Sequence, residues 1–208
     1  MNKITFWQLL QSAGPMIWPI IFCSILSLAI FIDKMLYLGK VSVNIQEFTG
    51  KILEKMKRHE IKEALEICDT AKIPLANILK AGILKYDRPK EQVVQAIMDA
   101  SEYEIPHLEK NLAALSVLAN IVLLLGLLGT VLGLSVAFNS IQLKAQAYQV
   151  VLLSDLAGGI WQALLTTIAG LFVAIPAFLA YNYLASRVSS HISDLEKAST
   201  ELVNFLTE

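Results

Sequence analysis

Three stretches without a charged side chain, Ala13–Ile32, Asn111–Leu143 and Leu156–Ser186, constrain this chain more than any other feature of it. The first holds 20 residues, enough at about 1.5 Å per helical residue to cross a hydrocarbon core of about 30 Å. The other two are longer. Within lipid every backbone N–H and C=O must be paired inside the protein, which leaves helices or closed barrels, and no strand-like alternation is present. The reading is an all-α membrane protein with three transmembrane helices. The surplus length of the second and third runs predicts tilt, or long helices that continue into the cytoplasm.

Most of the 17 Lys and Arg residues lie between the first and second runs, from Lys40 to Lys110, whereas the N-terminal segment has only Lys3 and the last connection only Lys144. The positive-inside rule then puts the N-terminus outside and both the 40–110 segment and the C-terminus in the cytoplasm. The expected plan is an amphipathic N-terminal helix over 1–12 (Phe6, Trp7, Leu9, Leu10), a first span over 13–35 and a large cytoplasmic helical domain over 36–110. A second span over 111–142, a periplasmic loop over 143–155, a third span over 156–186 and a cytoplasmic C-terminal helix over 187–208 follow. Pro15 and Pro19 interrupt the first run and no small-x-small site follows Ile32, which argues against a cleaved signal. Inside the insert, Ile45, Phe48, Ile52, Leu53 and Met56 keep helical spacing, and Pro74, Pro89 and Pro106 mark helix starts or kinks. Lys90–Lys110 is expected to feed into the second span as one long helix. A net charge of −1 gives no footing for nucleic acid, and Cys23 and Cys68 are not expected to pair.

Each of the two later runs carries a stripe that lipid does not ask for. At about 100° per residue, Gly159, Ala163, Thr166, Gly170, Val173, Ala174 and Ala177 share one face, with Gln162 and Thr167 at its margins. Ala119, Gly126, Thr130, Gly133 and Ala137 align likewise on the earlier run. Small residues permit close approach of helices, and a membrane hydroxyl needs a partner, so the stripes face protein or water. Thr130 and Thr167 lie roughly 18–20 Å in from the same side if the helices are antiparallel, a geometry suited to a polar ring in an oligomer. Ser24, Ser27 and Ser135 read as packing residues. No charged group falls in either run, and hydroxyls or an amide do not carry a transferable proton at neutral pH. If protons move here, another polypeptide brings the acid. Glu104 and His107 have the spacing of half a di-iron site, but no second pair accompanies them and Pro106 stands between them, so a solvated face is expected. No nucleophile–base pair or phosphate loop is present, and neither catalysis nor a cofactor or metal is expected.

The run Leu125-Gly126-Leu127-Leu128-Gly129-Thr130-Val131-Leu132-Gly133-Leu134 resembles the second-span signature of the ExbB/TolQ/MotA proton-channel family. Gly158 to Thr167, continued through Ile168 to Ala177 and closed by Tyr181-Asn182, is similar to its third-span signature. The three-span plan fits the ExbB/TolQ branch better than the four-span MotA type. The resemblance implies a bacterial inner-membrane subunit that assembles as a homopentamer around an ExbD/TolR-like partner dimer, whose single spans carry an essential Asp. Ion flow would then drive movement of the partner, powering uptake through a TonB-like protein, envelope constriction, gliding or secretion. Thr130 and Thr167 match the family's pore-lining threonines, with Thr166 and Gln162 beside them. Gly126, Gly133, Ala137, Gly159, Ala163, Gly170, Ala174 and Pro176 are expected to pack the pore wall. Gln162 stands where many relatives have Glu, so it is expected as a neutral pore-mouth or interface residue. Protons are favoured over sodium. A self-sufficient channel and a passive scaffold are the competing readings.

Overall fold

The structure, a computed structural model, describes residues 12–41, 45–71, 73–148, 150 and 152–207. The amphipathic helix expected over 1–12 lies outside the described residues except for Ser12. Among the described residues the regular structure is seven helices: α1 Ile17–Val41, α2 Ile45–Lys57, α3 Ile61–Ala71, α4 Pro74–Ile83, α5 Lys90–Glu109, α6 Leu112–Gln146 and α7 Leu153–Thr207. No strand occurs among the described residues. Among the described residues three helical stretches are long and apolar enough to cross a membrane, and they fall on α1, α6 and α7. The chain is an all-α protein with three candidate membrane helices.

The chain divides into two compact units, one made of residues 1–32 and 113–182, the other of 33–112 and 183–208. The first unit contains most of the three uncharged runs. Ile20 and Cys23 of α1 pack with Val122 of α6 and Ala174 of α7, flanked by Leu118, Leu125, Ala169 and Val173. Outward from this seam Phe22, Leu124, Leu127, Ile168 and Phe172 are exposed, an apolar surface suited to lipid or to neighbouring subunits.

The second unit has a core like that of a soluble protein. Ile52, Ala64, Leu75, Ile78, Leu79, Ile83, Val93, Leu108 and Leu202 are buried. Local chemistry sets its corners. His59 takes a positive φ of 60° to end α2, and the Lys55 ammonium reaches both Glu60 at 2.7 Å and Glu63 at 2.5 Å across the turn. Lys55 beside Glu60 holds that carboxyl below its ordinary range. Pro74 opens α4, where its missing N–H leaves no helical bond unmade, and Pro89 caps α5 in an extended conformation. Gly82 packs closely against side-chain ends: a Cβ there would stand 2.8 Å from Ile97 and 3.1 Å from Leu202.

Cys68 is buried in α3, and its thiol is pushed up to about 11, chiefly by burial and then by Asp69. Because the thiolate is the nucleophile, maleimide labelling near pH 7.5 is expected to be on the order of 100-fold slower than at a free cysteine. A Cys23→Ala chain isolates the signal. Labelling at the free-cysteine rate in the folded state would contradict this burial.

One expectation is corrected. Residues 90–143 do not form a single helix: Lys110 is extended (φ −50°, ψ 136°) and Asn111 is left-handed at φ 69°, so α5 ends and α6 begins anew. Asparagine is among the few residues that tolerate this region, and the Lys34 side chain donates to the His107 carbonyl at 3.4 Å in the last turn of α5.

Candidate functional site: the α6–α7 seam

The two small-residue stripes meet. Gly126 of α6 faces Gly170 of α7, Gly129 faces Thr166, and Gly133 lies against Gly159 and Ala163. Residue numbers rise on one helix as they fall on the other, so the pair is antiparallel. The approach is backbone to backbone. A Cβ added at Gly126 would stand 3.2 Å from the Gly170 Cα, and one at Gly170 would stand 2.8 Å from the Gly126 Cα. Ala137, Ala163 and Ala174 are buried in the same seam. Gly129 belongs to the same contact, because its missing side chain makes the space that Thr166 fills. Pro176, expected with the packing residues, is exposed in mid-α7.

The threonines separate into different environments. Thr166 is 1% exposed, and its hydroxyl donates to Ala163 O at 2.9 Å and Gln162 O at 3.1 Å within its own helix. Within one chain it fills the helix contact and does not face outward. Thr167, about 100° further around the helix, is half-buried and donates across the seam to Gly126 O at 3.1 Å. Thr130 is half-buried and donates to Leu127 O at 2.5 Å. Thr130 and Thr167 each follow a member of the Gly129–Thr166 contact. One step along antiparallel helices runs in opposite directions, so the two residues differ by about 3 Å in depth at 1.5 Å per residue. Both hydroxyl hydrogens go to backbone carbonyls. What the two oxygens still offer is lone pairs, acceptors for a hydrated proton or a carboxylic O–H.

Gln162 has a partner that sequence spacing does not reveal. Its side chain lies against Gly14, in the space a Cβ there would need, and Gly14 itself sits at φ 74°. Glycine at 14 answers both demands, and the amide packs on the turn that leads into α1. Elsewhere in the spans Asn120 and Ser140 bond the carbonyl one turn back, at 3.0 Å each. Ser27 is buried with no partner for its hydroxyl among the described residues, unlike a self-bonded packing serine. Glu104 accepts from Asn77 at 2.8 Å while His107 meets Tyr103 edge-on at 5.3 Å. Each of the two therefore has a structural partner.

A close antiparallel pair of membrane helices with uncharged spanning stretches, carrying two half-buried hydroxyls within about 3 Å of each other in depth, defines a multi-pass membrane protein of the channel-wall class. Residues 70–197 match the model of the MotA/TolQ/ExbB proton channel family, and the chain belongs to that family. Its relatives lie in the ExbB/TolQ branch. It is 27% identical over 193 residues to an ExbB homolog of Methanothermobacter thermautotrophicus, covering 92% of this chain and 67% of that protein. It is 29% identical over 194 residues to the Tol-Pal system protein TolQ of Haemophilus influenzae, covering 88% and 83% respectively. The biopolymer transport protein ExbB of Neisseria gonorrhoeae is 28% identical over 166 residues, covering 71% of this chain and 74% of that one.

Proposed function

We propose that this chain is the ring subunit of a proton-driven motor in the bacterial inner membrane, five copies enclosing the single spans of an ExbD/TolR-like partner dimer. The observation that supports the reading is a closely packed helix pair whose uncharged stretches carry two half-buried hydroxyls within about 3 Å in depth and no titratable group of their own. A membrane proton path needs a group that titrates, and here a partner's Asp supplies it. Thr130 and Thr167, with lone pairs free, accept from that acid in its protonated form and give nothing to the carboxylate. The wall thus favours the neutral acid. Passage of each proton would reset this preference and move the partner helix inside the ring. Thr166 and the glycines hold the wall together, while Gln162 fastens the third span to the start of the first. The excess of Lys and Arg between residues 40 and 110 supports a periplasmic N-terminus and a cytoplasmic C-terminus. Sodium coordination by hydroxyl and carbonyl oxygens is the second reading for the ion, and a silent scaffold is the second reading for the role.

Purification of the tagged chain from its host membrane, followed by native mass spectrometry, tests the assembly. The expected species holds five copies of this chain and two copies of a single-span protein with an intramembrane Asp. A predominantly monomeric chain would overturn the proposal.

A further inference from the structure

Lys34 lies two residues beyond the uncharged run that ends at Ile32, at the level where a membrane lysine ordinarily reaches outward to water. Lys40 on the same helix is exposed in that manner. Lys34 is not: it is 3% exposed, its ammonium stands 5.0 Å from the centre of the Tyr37 ring, and its one acceptor among the described residues is the His107 carbonyl at 3.4 Å. An ammonium has three N–H donors, and a buried cation with a single long hydrogen bond is costly unless an anion sits beside it.

A cavity of about 250 Å³ adjoins it, lined by Asp33, Lys34, Tyr37, His107, Lys110 and Asn111. The helix break at Lys110–Asn111 shapes one wall, because the left-handed Asn111 turns the chain between α5 and α6. Two lysines against one carboxylate leave the lining net positive with histidine neutral, and Asp33 is exposed. Both chain segments adjoin membrane runs in sequence, residues 33–37 after the first and 107–111 before the second, so phospholipid headgroups are the nearest source of phosphoryl groups.

We propose that this cavity binds a phosphoryl oxyanion, with Lys34 as its buried counter-ion and Lys110 as the exposed second cation. The Tyr37 hydroxyl and the Asn111 amide are the neutral donors at its wall. The same chemistry is offered by an anionic phospholipid headgroup and by free phosphate. Anionic lipid in the cytoplasmic leaflet would then tie the end of the first span to the start of the second.

The test uses the whole chain in detergent, titrated with dioctanoyl phosphatidylglycerol under native mass spectrometry and, separately, with inorganic phosphate followed by phosphorus NMR. Binding of at least one of the two probes is expected. It should weaken tenfold or more in Lys34→Met, weaken severalfold in Lys110→Met and persist in Lys34→Arg. Lipid bound and not displaced by millimolar phosphate identifies the headgroup as the source, whereas displacement identifies the free anion. If Lys34→Met fails to fold, the exposed Lys110→Met carries the test. Binding of neither probe to the unaltered chain, or equal binding to both methionine variants and the unaltered chain, would overturn the proposal.

Discussion

Alanine at Gly159 is expected to force α6 and α7 apart, while alanine at the adjacent Gly158 is expected to be harmless. A Cβ on Gly159 would stand 2.6 Å from the Gly133 carbonyl oxygen, 2.7 Å from the Ala137 Cβ and 2.9 Å from the Ala137 nitrogen. Two of these three are backbone atoms, which no rotamer change can remove. Overpacking of this kind costs roughly 1–3 kcal/mol, and more where main chains oppose each other. Gly158 has nothing within 4 Å, so alanine there adds only helix propensity, worth up to about 1 kcal/mol in water. Thermal inactivation of the purified assembly reads the difference, with Gly159→Ala well below the parent and Gly158→Ala at or above it. Equal behaviour of the two variants would mean that the α6–α7 seam is not the contact that holds the wall.

The second large effect is expected on conduction and not on folding. Valine keeps the volume of threonine and removes its oxygen. Thr167→Val loses one hydrogen bond to Gly126 O, and within membranes such bonds average about 0.6 kcal/mol. Assembly should survive. Proton flux that depends on the partner is expected to fall at least about tenfold in Thr130→Val and in Thr167→Val, the rate equivalent of ~1.4 kcal/mol. Ser140→Ala, which removes a half-buried hydroxyl bonded to its own helix well away from the Gly129–Thr166 contact, should leave flux unchanged. Flux at the parental level in both valine variants would defeat the polar-ring account.

The spans and the seam were legible in the sequence for a simple reason. Helical periodicity is a local property, and small residues every third or fourth position leave few alternatives to close packing. Which edge of a stripe turns inward is another matter. Thr166 and Thr167 differ by one step of the helix, yet one fills the space left by Gly129 and the other reaches the carbonyl of Gly126. That outcome depends on the register against α6, which the pattern on α7 alone does not contain. Gln162 on Gly14 and Lys34 at the His107 carbonyl join residues far apart in sequence, and no spacing rule finds them. The break at Asn111 was missed because an uninterrupted apolar pattern says nothing about one left-handed residue at its edge. Pro176 is exposed in the single chain, and what it meets in an assembly is set by neighbouring copies that the helix pattern does not contain.

The central claim is that this chain walls an ion path whose titratable group belongs to another polypeptide. Proton flux into liposomes under an imposed gradient tests it most directly, with this chain reconstituted alone, with its single-span partner, and with the partner's intramembrane Asp changed to Asn. The account predicts silence from the chain alone, flux with the partner, and silence again with the Asn variant. Proton flux through this chain alone, at the rate of the complete assembly, would contradict it.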